Sequence, residues 1–428
     1  MQRIGKFTRR DFLAESSKTA AALSVGSLFL GQTAASAART FGANETIRVG
    51  VIGAGGQGTS DCAAVCGADN VVCVALCDVA EFRLAEATAR ITKAMESKGH
   101  KNVKIDHYAD YRQLLDRGDI DAVIIATPDH WHRLPFLASV EAGKHIYQEK
   151  PFSFTYEQGM EMVAAAEKKP ELVIQIGTQR RSDYNNAKAK QLLDDGVIGE
   201  VKFVRAKDCR NFVTGRDPFA PRDVQGKIDW DKFQEPCNHK VPYDPWRYFA
   251  WRWFWDYAGG LVTDVGVHVI DIVHYYMDNP VPRSAVCNGG VYGLDYWETP
   301  DVVNAVWEYD GFSLNFVSNF TNGFEGDGLT LFGTKGTIDI RGSHIRVYSE
   351  GQADKPIHEF AKEGPAHQHN WVECMRTGKK PNAPVQLGFS SLLPSHMANI
   401  AYRSGRKVAW DPQARKIVPW EPSSRKQS

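Results

Sequence analysis

Residues 47–58 constrain this chain more than any others. The apolar run Ile47-Arg-Val-Gly-Val-Ile52 reads as a strand and leads directly into Gly53-Ala-Gly55-Gly56-Gln57-Gly58 and a helix-compatible stretch. In such a turn the first glycine permits the tight reversal and the second lets a pyrophosphate approach the backbone. The third lets helix pack on strand, with the amides of the helix N-terminus facing the phosphates. The glycine spacing alone is weak, but a second strand-like run, Val71–Cys77, ends at Asp78, twenty residues beyond Gly58. A carboxylate there accepts hydrogen bonds from ribose hydroxyls and repels a 2′-phosphate, which favours NAD over NADP.

The alternation continues with a helix over 81–96, a strand over 121–126, a helix over 133–142 and a strand over 144–148, the pattern of βαβ units and a parallel sheet. Thr127-Pro128-Asp129-His130-Trp131-His132 and Glu149-Lys150-Pro151 then fall at carboxyl ends of strands, the edge where open α/β sheets bind ligands. The expected nucleotide contacts are therefore Gly53, Gly55, Gly56, Gln57, Gly58, Asp78, Thr127, Pro128, His132 and Lys150, with Lys150 at the nicotinamide end.

Beyond Pro151 the pattern predicts a helix over 156–168, a strand over 172–177, a helix over 183–195 and a strand over 201–209. A Pro- and aromatic-rich insertion over 211–257 is too irregular for a plain connection and reads as a cover over a site. It ends in Trp246-Arg-Tyr-Phe-Ala-Trp251-Arg252-Trp253-Phe-Trp255. Flat rings suit sugar C–H faces, and arginines suit hydroxyls or carboxylates. Most of these tryptophans belong to the core; Trp251, Arg252 and Trp253 are the expected substrate contacts, with Arg181 after the sixth strand. Residues 283–349 read as an antiparallel meander, one face of which is suited to a homodimer or homotetramer contact. Helices over 369–377 and 390–405 are expected to return to the first lobe, with His367 and His369 at the entry to the first of them.

Asp264 and His268, four residues apart in a Gly-rich helical segment, are expected to share one face. A carboxylate there fixes the imidazole's orientation and favours its charged form, as general-base removal of a hydroxyl proton requires.

Lys+Arg and Asp+Glu both total 51, so no net field draws the chain to nucleic acid or an anionic membrane, and a small ligand is the better expectation. Thr8-Arg9-Arg10-Asp11-Phe12-Leu13, an apolar run from Ala20 to Leu30 and Ala35-Ser36-Ala37 form a twin-arginine export signal over 1–37, read by the Tat machinery. Export to the periplasm or cell envelope follows, and no later run is long and apolar enough to span a bilayer. About 390 mature residues exceed one compact core and suggest two lobes, over 45–175 and 176–412. Cys62/Cys66 and Cys73/Cys77 look like paired metal ligands, but the second pair lies on a strand, roughly 13 Å apart. No metal site is expected; free buried thiols are, with one disulfide left open.

Taken together, the loop 53–58, Asp78, the run 127–132, Glu149-Lys150-Pro151 and Asp264-x-x-x-His268 resemble the Gfo/Idh/MocA family of sugar and cyclitol oxidoreductases over residues 45–412. The resemblance implies a Rossmann lobe with a doubly wound parallel sheet and an α+β lobe with a large open mixed or antiparallel sheet. It implies a catalytic set of Lys150, Asp264 and His268 over the nicotinamide. Glu149 would contact cofactor or orient the lysine, and the Lys150–Pro151 bond would be cis. The expected activity is NAD-dependent hydride transfer at a secondary hydroxyl of a sugar, glycoside or cyclitol, with tightly held NAD. The alternative is a glycoside hydrolase or lyase that oxidises transiently and returns the hydride; a catalytically silent sugar-binding protein is less favoured.

Overall fold

A strand whose residues are apolar on both faces must be covered on both, and β2 (Val71–Cys77) is buried at every position. The structure, a computed structural model, describes residues 40–421 except 43, 215, 216, 343, 362, 363 and 365. The expected export signal lies outside them. In chain order the first lobe runs β1 (Ile47–Ile52), α1 (Gly56–Val65), β2, α2 (Glu81–Ser97), β3 (Asp106–Tyr108), α3 (Tyr111–Leu115), β4 (Ala122–Ile125), α4 (Arg133–Glu141), β5 (His145–Gln148), α5 (Tyr156–Glu167) and β6 (Ile174–Ile176). Its strands pair in parallel in the order β3-β2-β1-β4-β5-β6, with Ile47 opposite Val71 and Val49 opposite Ala122. The order reverses at β1 and β4, which opens a crevice outside their carboxyl ends.

The second lobe follows with α6 (Tyr184–Asp194), β7 (Val201–Cys209), the short helices α7 (Trp230–Phe233) and α8 (Pro245–Phe249), and α9 (Val267–Tyr276). Then come β8 (Ser284–Gly290), β9 (Val302–Glu308), β10 (Ser313–Asn319), β11 (Asp327–Gly333), β12 (Gly336–Arg341), β13 (His344–Ser349), β14 (His358–Ala361), α10 (His367–Thr377), α11 (Val385–Ser404), β15 (Val408–Asp411) and β16 (Lys416–Pro419). Among the described residues these strands form one ten-stranded sheet, β14-β13-β12-β11-β7-β10-β9-β8-β15-β16. It is not the simple meander expected: β7 lies between β10 and β11, parallel to β10 and antiparallel to β11. Alternation along β10 sends Leu314, Phe316 and Ser318 to the buried face, which packs on helices including α11.

The two sheets belong to one compact unit. Ile176 N donates to Ala383 O at 2.8 Å and Gln175 Nε2 to His367 O at 2.8 Å, so the segments around α10 and α11 are bonded to β6. The insertion is anchored to the first lobe just beyond β2, where Asp229 N donates to Val79 O at 2.8 Å and Glu81 N to Lys227 O at 3.0 Å. Trp131 Nε1 also donates to Phe233 O at 2.8 Å.

Candidate active site

The crevice is built from strand ends. Gly53, directly after β1, has φ +90°, and a Cβ there would meet the Ala126–Thr127 backbone at 2.6 Å. A Cβ on Gly58 would lie 2.1 Å from Gly53 O, so close helix–strand packing requires glycine. A Cβ on Gly55 or Gly56 would meet nothing within 4 Å, and the first turn of α1 has no capping side chain. Thr127 Oγ1, after β4, is buried without a hydrogen-bond partner. Open space, uncapped helix amides and an orphaned hydroxyl converging on one crevice fit a dinucleotide. Asp78 stands at the end of β2, with Oδ1 accepting from Ala80 N at 3.0 Å; burial pushes its carboxyl up to about 6.

Lys150 follows β5, with a cis peptide bond to Pro151. Its Nζ donates to Asp264 Oδ1 at 2.8 Å and to Asp264 O at 3.0 Å, and Arg252 Nε donates to the same Oδ1 at 3.3 Å. Burial disfavours the Asp264 carboxylate, but Lys150 and Arg252 outweigh it and hold the group well below the usual carboxylate range. Asp264 is therefore the counter-ion of two cations, and its carboxyl group makes no hydrogen bond to His268 among the described residues. The expected Asp–His pair is corrected here, and the cause is local. Val262–Gly266 form a π-helical turn before α9, so the four-residue spacing does not stack the two side chains as a uniform α-helix does.

His268 is half-buried. Burial lowers its pKa well below the ordinary value, and Lys150 and Arg180 add to the effect against the opposing pull of Asp264. The imidazole is thus neutral at neutral pH, the reverse of the charged form expected from spacing. Asp129, buried beside Asp264, has its carboxyl raised well above its normal range, first by burial and then by that neighbouring charge.

Other expected contacts are also corrected. Arg181 is buried, with Nε 2.8 and 2.9 Å from the two Asp271 carboxylate oxygens and a further bond to Asn279, so it braces β6 against α9. Its neighbour Arg180 is the one whose charge acts on His268. Trp253 is fully buried and stacks on Trp297 with ring centroids 3.8 Å apart, a core position. Trp251 is half-buried, and the Arg252 guanidinium lies 4.3 Å from its ring centroid and 4.4 Å from that of Phe219. The His132 ring is buried between Pro151 O at 2.7 Å and Thr127 O at 2.8 Å, so it joins the two loops instead of reaching the crevice. His367 is likewise buried, 2.6 Å from Ser182 Oγ, and His369 lies 3.0 Å from Ala64 O.

Glu149 is buried, with Oε2 accepting from Lys150 N at 3.1 Å and Oε1 from Gln179 Nε2 at 3.2 Å. Its neighbour across the gap is Asp61 of α1, which sequence reasoning did not single out; a lone acid on the buried face of a glycine-loop helix was the available signal.

Residues 47–177 match the oxidoreductase family with an NAD-binding Rossmann fold, and residues 186–339 match the Gfo/Idh/MocA C-terminal domain. The chain belongs to the Gfo/Idh/MocA oxidoreductase family. A glycosyl hydrolase family 109 protein of Saccharopolyspora erythraea is 32% identical over 215 residues, 47% of this chain and 45% of that relative. The chain thus spans about half the length of that relative. The myo-inositol 2-dehydrogenase of Thermotoga maritima is 24% identical over 73% of this chain and 77% of its own length. Among solved structures, a levoglucosan dehydrogenase in complex with NADH and levoglucosan superposes with a TM-score of 0.65 at 20% identity, over 85% of this chain and 99% of that one. This last likeness concerns the Gfo/Idh/MocA fold.

Proposed function

We propose that this protein is an NAD-dependent oxidoreductase acting on a secondary hydroxyl of a sugar, glycoside or cyclitol. The observation that carries the reading is the Lys150–Asp264 contact, 2.8 Å long, at the carboxyl edge of a nucleotide fold and next to a neutral His268. The loop 53–58, Asp78, Thr127, Pro128 and the backbone at Glu149 and Lys150 would hold NAD, which when bound supplies the hydride-accepting nicotinamide carbon.

Three side chains do the remaining work. An ammonium group has three N–H donors, and Lys150 directs two at Asp264. The third is left for the substrate oxygen, where it stabilises the negative charge that develops as the proton leaves. His268, neutral, accepts that hydroxyl proton at a ring nitrogen. Asp264 holds the Lys150 side chain aimed, and Arg252 is kept beside it by Trp251 and Phe219. Similarity to the inositol dehydrogenase supports a polyhydroxylated ring as substrate.

A second reading, transient oxidation followed by aglycone elimination and return of the hydride, is favoured by the 32% identity to the glycosyl hydrolase family 109 protein. The two separate in one assay: purified protein with NAD and a panel of free sugars, cyclitols and aryl glycosides. Growth of the reduced-nicotinamide absorbance with free sugar or cyclitol supports the oxidoreductase. Aglycone release with no net NADH sinks it in favour of the hydrolase.

Export through the twin-arginine route to the periplasm or cell envelope is part of the proposal, supported by Arg9, Arg10 and the apolar run that follows. So is a homodimer or homotetramer, supported by the exposed Phe203 and the half-buried Val306 and Val317 on the second sheet's open face.

A further inference from the structure

Beneath Lys150 lies a group of polar side chains that hydride transfer does not use. Asp61 on α1 is 1% exposed and Glu149 3% exposed. Their carboxyl groups are within hydrogen-bonding reach of each other. Every other contact is already assigned. Asp61 Oδ1 accepts from Gln57 Nε2 at 3.0 Å and from Gln368 Nε2 of α10 at 2.7 Å, while Glu149 accepts from Gln179 Nε2 and from Lys150 N. Asp61 Oδ2 is left buried with no donor. An ideal Cβ on Gly177 would lie 2.3 Å from Glu149 Oε1, so the site is packed closely and the carboxyl group has little room to swing away.

Two buried carboxylates this close repel each other, and Asp61 Oδ2 has no donor, so a proton between them is what the geometry lacks. We propose that Asp61 and Glu149 hold one proton between them, as a carboxylic acid bonded to a carboxylate, and that this pair clamps the Lys150 loop to the glycine-loop helix. Asp61 is then a positioning residue. It acts through Glu149 Oε2 on the Lys150 amide, two segments of chain being joined at one proton.

The groups facing the pair are consistent with one proton and one negative charge. Lys150 is the nearby cation, and the Tyr147 hydroxyl is buried and held neutral by burial and by both acids. The His367 ring, 6.0 Å from that of Tyr147, is kept uncharged by burial. Burial raises both carboxyls, Asp61 to about 6 and Glu149 well above its ordinary value.

Infrared difference spectroscopy and amide hydrogen exchange on the full protein test this. Neither involves turnover, so failure of this pair and failure of the catalytic reading are distinguishable. At neutral pH the carbonyl stretch of a protonated carboxylic acid, partly contributed by Asp129, should lose a component in Asp61→Asn and the same component in Glu149→Gln. Exchange of the peptide carrying the Lys150 amide should quicken at least tenfold in Asp61→Ala. It should be slowed again in Asp61→Asn, whose amide can donate to Glu149 without a shared proton. Identical carboxylic-acid bands in wild type and both amide variants overturn the shared proton. Unchanged Lys150 exchange in Asp61→Ala overturns the clamp.

Discussion

Lys150 Nζ meets both the carboxylate and the main-chain oxygen of Asp264, at 2.8 and 3.0 Å, across 114 positions of sequence. One residue of the second lobe thereby fixes a cation that the first lobe extends into the crevice. Removing the ammonium should be felt twice. Lys150→Met leaves Asp264 with only the longer Arg252 contact and should destabilise the protein by about 1–3 kcal/mol. It should lower kcat/KM by roughly 10²–10⁴-fold. Urea denaturation and steady-state kinetics on the same preparation check both.

His268 differs in kind, since its ring has no hydrogen-bond partner among the described residues. His268→Asn should change stability by less than about 1 kcal/mol. Because the folded pKa lies well below 6.5, first through burial and then through Lys150 and Arg180, the base form persists as pH falls through the ordinary histidine range. The acid limb of kcat should therefore begin well below pH 6.5. A kcat–pH profile breaking at the unperturbed value contradicts this environment.

Asp78 gives a pH dependence of binding. With its free carboxyl at about 6, it is ionised above that value, the form that accepts hydrogen bonds from ribose hydroxyls, and increasingly protonated below. NAD affinity should fall as pH drops through 6, and Asp78→Ala should lose that dependence while shifting relative affinity toward NADP. Calorimetric titration with each nucleotide at about pH 5 and about pH 8 reads the effect.

Arg181 and Arg180 should separate cleanly. Arg181→Ala strands the buried Asp271 carboxylate and should cost about 3–5 kcal/mol. Trp253→Ala, which opens the stack on Trp297, should cost a similar ~3–5 kcal/mol. Arg180→Ala should leave stability nearly intact and change kcat/KM, through its charge on His268. Denaturation midpoints for all three, with activity measured on folded protein, decide the assignment.

The nucleotide lobe was legible because its determinants are local. Strand, glycine turn and helix follow one another from Ile47 to Val65, and Asp78 needs only the end of β2. What was not legible depends on pairing between distant segments. Nothing near Val201 indicates that β7 enters the second sheet between β10 and β11. Periodicity at Asp264 and His268 assumed a uniform α-helix, and one π-helical turn redirected the carboxylate to Lys150. Arg180 and Arg181 are adjacent and chemically identical, so only the position of Asp271 shows which is structural. Trp253 looked like a ligand platform because Trp297, its stacking partner, lies 44 residues away.

The central claim is that Lys150 and His268 handle the proton of a substrate whose hydride passes to NAD. Its most direct test is reduced-nicotinamide absorbance after mixing NAD-loaded protein with a reactive sugar or cyclitol, in wild type and in His268→Asn with nucleotide binding verified. The account predicts a rapid rise in wild type and a rate lower by roughly 10²–10⁴-fold in the variant. An equal rise in both proteins, with nucleotide equally bound, would contradict it.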